Sequence, residues 1–422
     1  MTNINSFDKI SKTTEDGDIK MKRLIEMFDE IIDVRDSRGK LHCATHIMVM
    51  ATCGILNKCM DFEDIYDYAK SKEKYFNKKL NLWNGIPCSA TFRNVFRVIL
   101  AESFLTVFMN WIKEIVEKQT GKQIIIDGKA IRGATEKCTN GNIPYIVSAY
   151  LADIGISIGQ VKVDDKSNEI SAIPELLKIL DIDGCIITID AIGTQTQIMD
   201  MIVDKGADFV LPVKMNNKGA NKETIDFFKD SIEEDFKELT KSKKKEELLD
   251  YINKHGEKFE VYITRENTHG REEERIYIKS NNTKWLKNKK WKHVKSIVMA
   301  INNTTIHDNS VRYYFSSTDI PVKDLAKIIR KHWQIENNLH WVLDMYFYED
   351  LSRNRKDNAM ENLSILKKLC YNIIKLDTRY DKINKNGNLI KLSTKRKMNR
   401  YVNYPDEFEE LLCKIIPQIY FK

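Results

Sequence analysis

The sequence predicts an α/β protein: a mixed sheet flanked by helices, preceded by an all-helical unit and interrupted by a mainly β insertion. Three observations predict it. From Met21 to about Thr120, apolar residues recur with a period near 3.6. After Lys122 the pattern changes to short β-branched runs alternating with helical stretches. Between 218 and 310 a charged helical stretch, Glu223 to His255, gives way to strand-like pieces alone.

The elements follow in order. Residues 1–20 are polar and predict a disordered tail. In 21–120, "MKRLIEMFDEI", "HIMVMATCGIL" and "ATFRNVFRVILAESFLTVFMNWIKEIV" predict helices, with Ser89 as a helix start. "QIIID", "PYIVSAYLA" and "ISIGQVKV" read as three strands, the last two joined at Asp153 to Gly155. "SAIPELLKIL" reads as a helix with Ser171 near its cap and Pro174 in its first turn. A strand 185–190, a helix 194–205 and a strand 207–213 complete a β-β-β-α-β-α-β order over 121–217. In the insertion, 218–310, the strand-like pieces are "KFEVYITRE", "ERIYIKS" and "VKSIVMAI". Over 311–376, "RYYFSS" returns to the main sheet and is followed by a helix from Pro321 and another from Lys356 to Leu376. A basic tail with a short helix fills 377–422.

Charge is concentrated. Arg379 to Arg400 carries eight basic residues and one acid, and Lys279 to Lys295 carries seven lysines and no acid. The whole chain has a net charge of only +7. Two basic segments on an otherwise acidic chain suit a polyanion partner or a solvated surface. The eight cysteines include no C-x-x-C pair, which fits reduced thiols in the cytoplasm. No signal peptide is expected before residue 20, and the apolar run Ala44 to Leu56 is too short to span a bilayer. A membrane role is not expected.

Three acids stand out. Asp127 ends "QIIID", and Asp190 ends the apolar strand "CIITID". Glu336 lies in "DLAKIIRKHWQIENNLHWVLDMYF", where a regular helix puts it in one arc with Leu325, Ile329, Leu339 and Leu343, and with His332. A buried carboxylate needs a cation, a metal or strong donors. Two strand-end aspartates and an inward glutamate would suit two divalent ions that clamp a phosphoryl transfer. Oxygen ligands favour Mg²⁺, with Mn²⁺ as the alternative. Each acid taken alone could instead be a turn residue or half of an ion pair. An aspartate phosphatase of the haloacid dehalogenase type is excluded, because Ile125 stands where a second Asp is required.

Other residues could serve a nucleic acid. Lys129 and Arg132 follow Asp127 closely and could reach a phosphate or balance the acids. Arg271, in "THGREEER", could touch phosphate or belong to a charged turn. Trp285, among lysines that include Lys289 and Lys290, could stack on bases or pack within the insertion.

"IDGKAIRGA", "VSAY", "GQVKVDDKSNEISAIPELL", "GCIITIDAIGTQ", "GADFVLPVK", "RYYFSS" and "HWQIENNLHWVLDMYFYED" together resemble the ISAs-type insertion-sequence transposases, a group that includes the H-repeat-associated proteins. "DVRDSRGKLH" and "PCSATFRNVF" resemble the helical N-terminal domain of the same group. The resemblance spans about residues 20 to 375. It implies a ribonuclease-H-like core with an acid triad at Asp127, Asp190 and Glu336, spaced by 63 and 146 positions, the second gap holding the insertion. It implies a bacterial, cytoplasmic enzyme, at the nucleoid when bound to DNA. Such an enzyme binds the inverted repeats of its element, cleaves the ends and joins 3′ hydroxyls to target DNA, and a homodimer would hold the paired ends. His332, a candidate DNA contact, stands where the broader group has Arg, and Leu343 where it has Lys. A K-x-N-Q segment becomes Lys214, Met215, Asn216 and Asn217, with Lys214 a candidate DNA contact. Two alternatives stay open: a catalytically silent DNA-binding relic, and a metal-dependent nuclease that does not join strands.

Overall fold

In the computed structural model, residues 24–415 are described, apart from 37, 39, 117–120, 135–142, 164–168, 232–258, 269–270, 287–290, 305–309 and 386. The expected N-terminal tail, most of the charged stretch after 231, and Lys289 and Lys290 lie outside the described residues.

The first six helices are α1 (Leu24–Asp29), α2 (Ala44–Leu56), α3 (Phe62–Ser71), α4 (Glu73–Leu80), α5 (Ser89–Val98) and α6 (Ala101–Ile115). Helix α2 is apolar on nearly every side, and all but one of its residues are buried. Helix α3 is amphipathic and starts on Asp61, whose side chain accepts from the Glu63 and Asp64 amides. No single helix among the described residues is long and apolar enough to cross a membrane.

The chain then builds β1 (Gln123–Ala130), β2 (Tyr145–Leu151), β3 (Ile156–Val163), α7 (Glu169–Ile179), β4 (Ile186–Ile189), α8 (Thr196–Asp204) and β5 (Asp208–Val213). This is the β-β-β-α-β-α-β order read from the sequence. Helix α7 begins at Glu169, two residues before Ser171, so Pro174 lies inside the helix. After α9 (Lys218–Ser231) come β6 (Phe259–Thr268), β7 (Arg271–Ser280), β8 (Ser296–Thr304) and β9 (Ser310–Ser316). The described strands β1 to β9 form one sheet in the order β3-β2-β1-β4-β5-β9-β8-β7-β6. Strands β1, β4 and β5 run parallel, and every other pairing is antiparallel. The strands of the insertion therefore pair through β9 onto the central sheet and extend it.

Helix α10 (Val322–Lys331) follows, then a π-helical turn (Ile335–His340), α11 (Trp341–Phe347) and α12 (Ala359–Leu376). The chain closes with a two-stranded ribbon, β10 (Lys382–Ile383) and β11 (Leu389–Ile390), and helices α13 (Thr394–Asn403) and α14 (Pro405–Ile415).

Helix α12 joins the layers, and almost all of it is buried. Asn372 grips β3 at Ser157, accepting from its amide at 2.9 Å and donating to its carbonyl at 2.7 Å. Asn362 donates to the carbonyls of Phe96 and Ile99 at the end of α5. Such bonds satisfy buried backbone groups that have no strand or helix partner. A continuous apolar core runs from Phe28 and Phe104 in the helical layer to Ile126 and Ile189 in the sheet.

Both basic segments look different once folded. Lys279 is 1% exposed and pairs with Glu260 at 2.7 Å and Asp319 at 2.8 Å. The lysines of 279–295 therefore do not all share one exposed side. In the C-terminal segment, Arg379 pairs with Asp377, Arg400 with Glu407, and buried Lys397 donates to the carbonyls of Ile374 and Asp377. Sequence counts charges, but folding paired these with acids and carbonyls, some near in the chain, as Asp377 is to Arg379, and some distant, as Asp319 is to Lys279.

Candidate active site

Strands β1 and β4 are parallel neighbours, in register from Gln123↔Ile186 to Ile126↔Ile189. The next residue on each is an aspartate, Asp127 and Asp190. Neighbouring strands lie about 4.8 Å apart, so the two acids stand side by side; Asp127 lies inside β1, which runs on to Ala130 rather than ending at the acid as the sequence suggested, and Asp190 stands at the carboxyl end of β4. In open α/β sheets this is where ligands bind. Ile124, Ile125 and Ile126 before Asp127, and Ile187 and Ile189 before Asp190, are buried, and burial relaxes at the acid itself.

The loop after Asp190 is held firmly. Asp190 Oδ1 accepts from the Ile192 amide at 2.9 Å and so caps a short 3₁₀ turn at Ala191–Gly193. A Cβ on Gly193 would stand 2.4 Å from Ile189 Cγ2, so only glycine fits there. Asn216 donates to the Ala191 carbonyl, and Asn217 donates to the Thr194 carbonyl at 2.7 Å. The K-x-N-N segment thus pins the loop that carries the second acid, and Asn217 has a defined backbone contact.

Glu336 comes from the π-helical turn. A cavity of about 170 Å³ is lined by Asp127, Thr188, Asp190, Lys214, His332 and Glu336 among others. The three acids picked from the sequence therefore border one space. Glu336 itself is exposed, whereas Leu325, Ile329, Leu339 and Leu343 are buried. The expected arc assumed one regular helix. The helix instead breaks at His332 and Trp333 and resumes with π geometry, which rotates later residues about the axis. Glu336 reaches the cavity from its open side.

Burial raises the Asp127 carboxyl first, and the negative charges of Asp190, Glu169 and Glu336 raise it further, to about 8. His340, 8% exposed, places Nδ1 3.4 Å from Asp127 Oδ2. Burial, then Lys129 and Lys368, hold this imidazole down at about 3, so it brings no positive charge. His332 is held at about 4, chiefly by burial, and its Nδ1 lies 3.1 Å from Thr188 Oγ1. Among the described residues, neither Asp190 nor Glu336 makes an ion pair with a side chain.

The three acids offer only carboxyl oxygens, and Asp127 carries the repulsion of its neighbours. That chemistry fits Mg²⁺ or Mn²⁺. Among the described residues, no three His, Cys, Asp or Glu side chains converge closely enough to enclose an ion as they stand.

The candidate DNA contacts divide. Lys214 and His332 line the acid cavity. Arg132 is largely exposed, 3.5 Å from Asp350 Oδ2. Lys129 has a different occupation: its ammonium is held by Asp344 and, at 2.8 Å, by Glu349, and its side chain is 11% exposed. Trp285 stacks on Phe227 at 4.8 Å, and its indole donates to the Asn282 carbonyl. Arg271 opens β7, paired with Thr268.

Residues not singled out from the sequence also appear. Arg312 lies over the Trp333 ring at 5.6 Å, and both line the acid cavity. They also line a neighbouring cavity of about 520 Å³, with Arg275, Arg330, Lys331 and Tyr277. His340 and Glu169 sit inside the quoted blocks "HWQIENNLHW" and "SNEISAIPELL". Their signal was a polar residue within an apolar helix pattern.

Comparison with known proteins decides the family. Residues 118–373 match the Transposase DDE domain family, and 25–112 match the family described as DDE_Tnp_1-associated. The chain belongs to the DDE transposases. It is 34% identical over 365 residues to a candidate transposase, YncI, of Escherichia coli O157:H7, covering 85% of this chain and 88% of that one. It is 32% identical over 370 residues to an H repeat-associated candidate transposase, YhhI, of Escherichia coli (strain K12), covering 85% and 92%. A piggyBac transposase in a synaptic complex with hairpin DNA has a TM-score of 0.44 and 12% identity, covering 96% of this chain and 82% of that one. The expectation of an insertion-sequence transposase drawn from the sequence blocks is met. The transposase is a mixed α/β protein, and its family generally uses a divalent metal.

Proposed function

We propose that this transposase cleaves and joins DNA through a ribonuclease-H-like core in which Asp127, Asp190 and Glu336 hold two divalent ions. The observation that carries the reading is convergence. Three acids, 63 and 146 positions apart, border one cavity beside the parallel strands β1 and β4. The sheet order supports the core assignment, with three antiparallel strands leading into parallel β4 and β5.

Bound ions would supply activation of the attacking oxygen and stabilisation of the leaving oxygen. The residues of the chain supply the rest. Asp127, whose carboxyl feels the charges of both Asp190 and Glu336, would hold the ions together with them. The Asp190 loop is preorganised by Asn216 and Asn217, so the second acid needs little ordering on binding. Lys214 and Arg312, on the cavity wall, would meet the phosphates that flank the cut. In the first step water attacks phosphorus and the bond to the 3′ oxygen breaks, leaving a 3′ hydroxyl. In the second, that hydroxyl attacks a target phosphate and displaces another 3′ oxygen.

The substrate would be the element's inverted repeats and then target duplex. Asp190→Ala should abolish nicking and joining of a plasmid that carries the element ends in Mg²⁺, while fold and end binding persist. Nicking retained at more than about a hundredth of the wild-type rate would refute the assignment, since an essential member of such a machine is worth far more than that.

A further inference from the structure

A fourth acid stands beside the three. Glu169 is the first residue of α7 and is 5% exposed. A Cβ built on Gly128 would lie 2.6 Å from Glu169 Oε1 and 2.8 Å from its Cδ. The carboxylate therefore rests on the backbone of the residue that follows Asp127. The φ of Gly128 is not in the left-handed region. Its missing side chain is thus explained by the space Glu169 occupies.

Glu169 also bears on the charge at Asp127, ranking ahead of Glu336 among the acids that raise that carboxyl. The cation closest in sequence, Lys129, is held by Asp344 and Glu349. A second observation comes from His340. Its ring is buried against Asp127, with Nδ1 at 3.4 Å and Nε2 without a hydrogen-bond partner among the described residues. Acids gathered around Asp127 with a neutral, half-satisfied imidazole form a site of negative potential. A cation would offset the repulsion among these acids.

We propose that Glu169 is a fourth carboxylate of the metal site, acting on the Asp127 side and strengthening its hold on the divalent ion. The proposal rests on the acid-triad reading above. Gly128 belongs to the same device, because any side chain there would push the Glu169 carboxylate away.

The test is Mn²⁺ binding by the full chain without DNA, measured by titration calorimetry, together with thermal unfolding with and without Mn²⁺. Glu169→Gln keeps the volume and removes the charge. It should weaken Mn²⁺ by about 10- to 100-fold, the range seen when a supporting group of a metal site is lost. Mn²⁺ should raise the unfolding midpoint of Glu169→Gln less than it raises that of the wild-type chain. A purely structural Glu169 would leave the Mn²⁺ affinity and the Mn²⁺-induced rise of the midpoint unchanged, and that would overturn the proposal. Should Glu169→Gln fail to fold, Gly128→Ala serves, with weaker Mn²⁺ binding expected although all four acids remain. Asp190→Asn separates the two readings. If it loses Mn²⁺ while Glu169→Gln binds within twofold of wild type, the triad stands and Glu169 is excluded. If Asp190→Asn binds like wild type, the triad reading fails and takes this proposal with it.

Discussion

Glu349→Gln tests how the first acid is held in place. Glu349 is buried, its side chain 4% exposed, and accepts from Lys129 Nζ at 2.8 Å and Ser364 Oγ at 2.8 Å. Lys368 stands 3.9 Å away, itself 2% exposed. Lys129 lies two residues beyond Asp127 on β1, so this pair ties the end of the acid-bearing strand to the segment after α11. At an effective dielectric of about 20, the 2.8 Å pair attracts by about 6 kcal/mol and the 3.9 Å pair by about 4 kcal/mol. Desolvation offsets most of this in the intact pair. Removing one partner leaves a buried charge uncompensated, at a net loss of about 3–5 kcal/mol.

The loss should appear in the urea midpoint followed by circular dichroism. The double variant Lys129→Met, Glu349→Gln should lose less than the sum of the single variants, by about 1–3 kcal/mol. The pH dependence follows with a definite sign. Burial alone would raise the Glu349 carboxyl, but Lys129, Lys368 and the Lys129 and Ser364 hydrogen bonds outweigh it and hold it well below its ordinary value of 4.5. A lowered carboxylate contributes its full stability above the unfolded value and loses it as pH falls toward the folded one. The gap between wild type and Glu349→Gln should thus be widest above about pH 5 and shrink steadily at lower pH. A gap below about 1 kcal/mol at neutral pH, or single losses that simply add, would refute the reasoning.

Two further outcomes are expected. Gly133→Ala sets a methyl 2.7 Å from the Asp350 carbonyl oxygen and 2.7 Å from Leu351 C; because both are backbone, the urea midpoint should drop by about 1–3 kcal/mol, and an unchanged midpoint would show that this contact is not tight. Lys279→Gln should lower stability by about 1–2 kcal/mol, since its partners Glu260 and Asp319 face solvent, yet leave the salt slope of DNA binding unaltered; a flatter slope, read from binding over a salt series, would mean that Lys279 meets phosphate after all.

Much of the fold could be read from residue types in order. β-branched runs such as Ile186 to Ile189 call for burial, and a run that ends abruptly on an aspartate places that acid at the tip of its strand, as at Asp190. For the same reason helix α2, apolar on all sides, had to lie inside. These are local properties: period, branching and the placement of charge determine them before any distant contact forms.

Partnership is different, because it depends on which distant segments meet. That Asp127 and Asp190 are neighbours follows from the parallel register of β1 and β4, across a gap of 63 residues. Whether a lysine is free or spent depends on acids far along the chain, as with Lys129 and Glu349 or Lys279 and Asp319. The orientation of Glu336 depends on a break and a π turn, which a uniform 100° wheel does not contain. Glu169 had no local mark beyond being an acid in an apolar pattern, and only the packing of α7 over Gly128 brings it to Asp127. The sequence alone determined which groups could be charged and which stretches had to be buried. The tertiary structure decided which charges face one another, because electrostatic energy depends on distances through space that chain order does not encode.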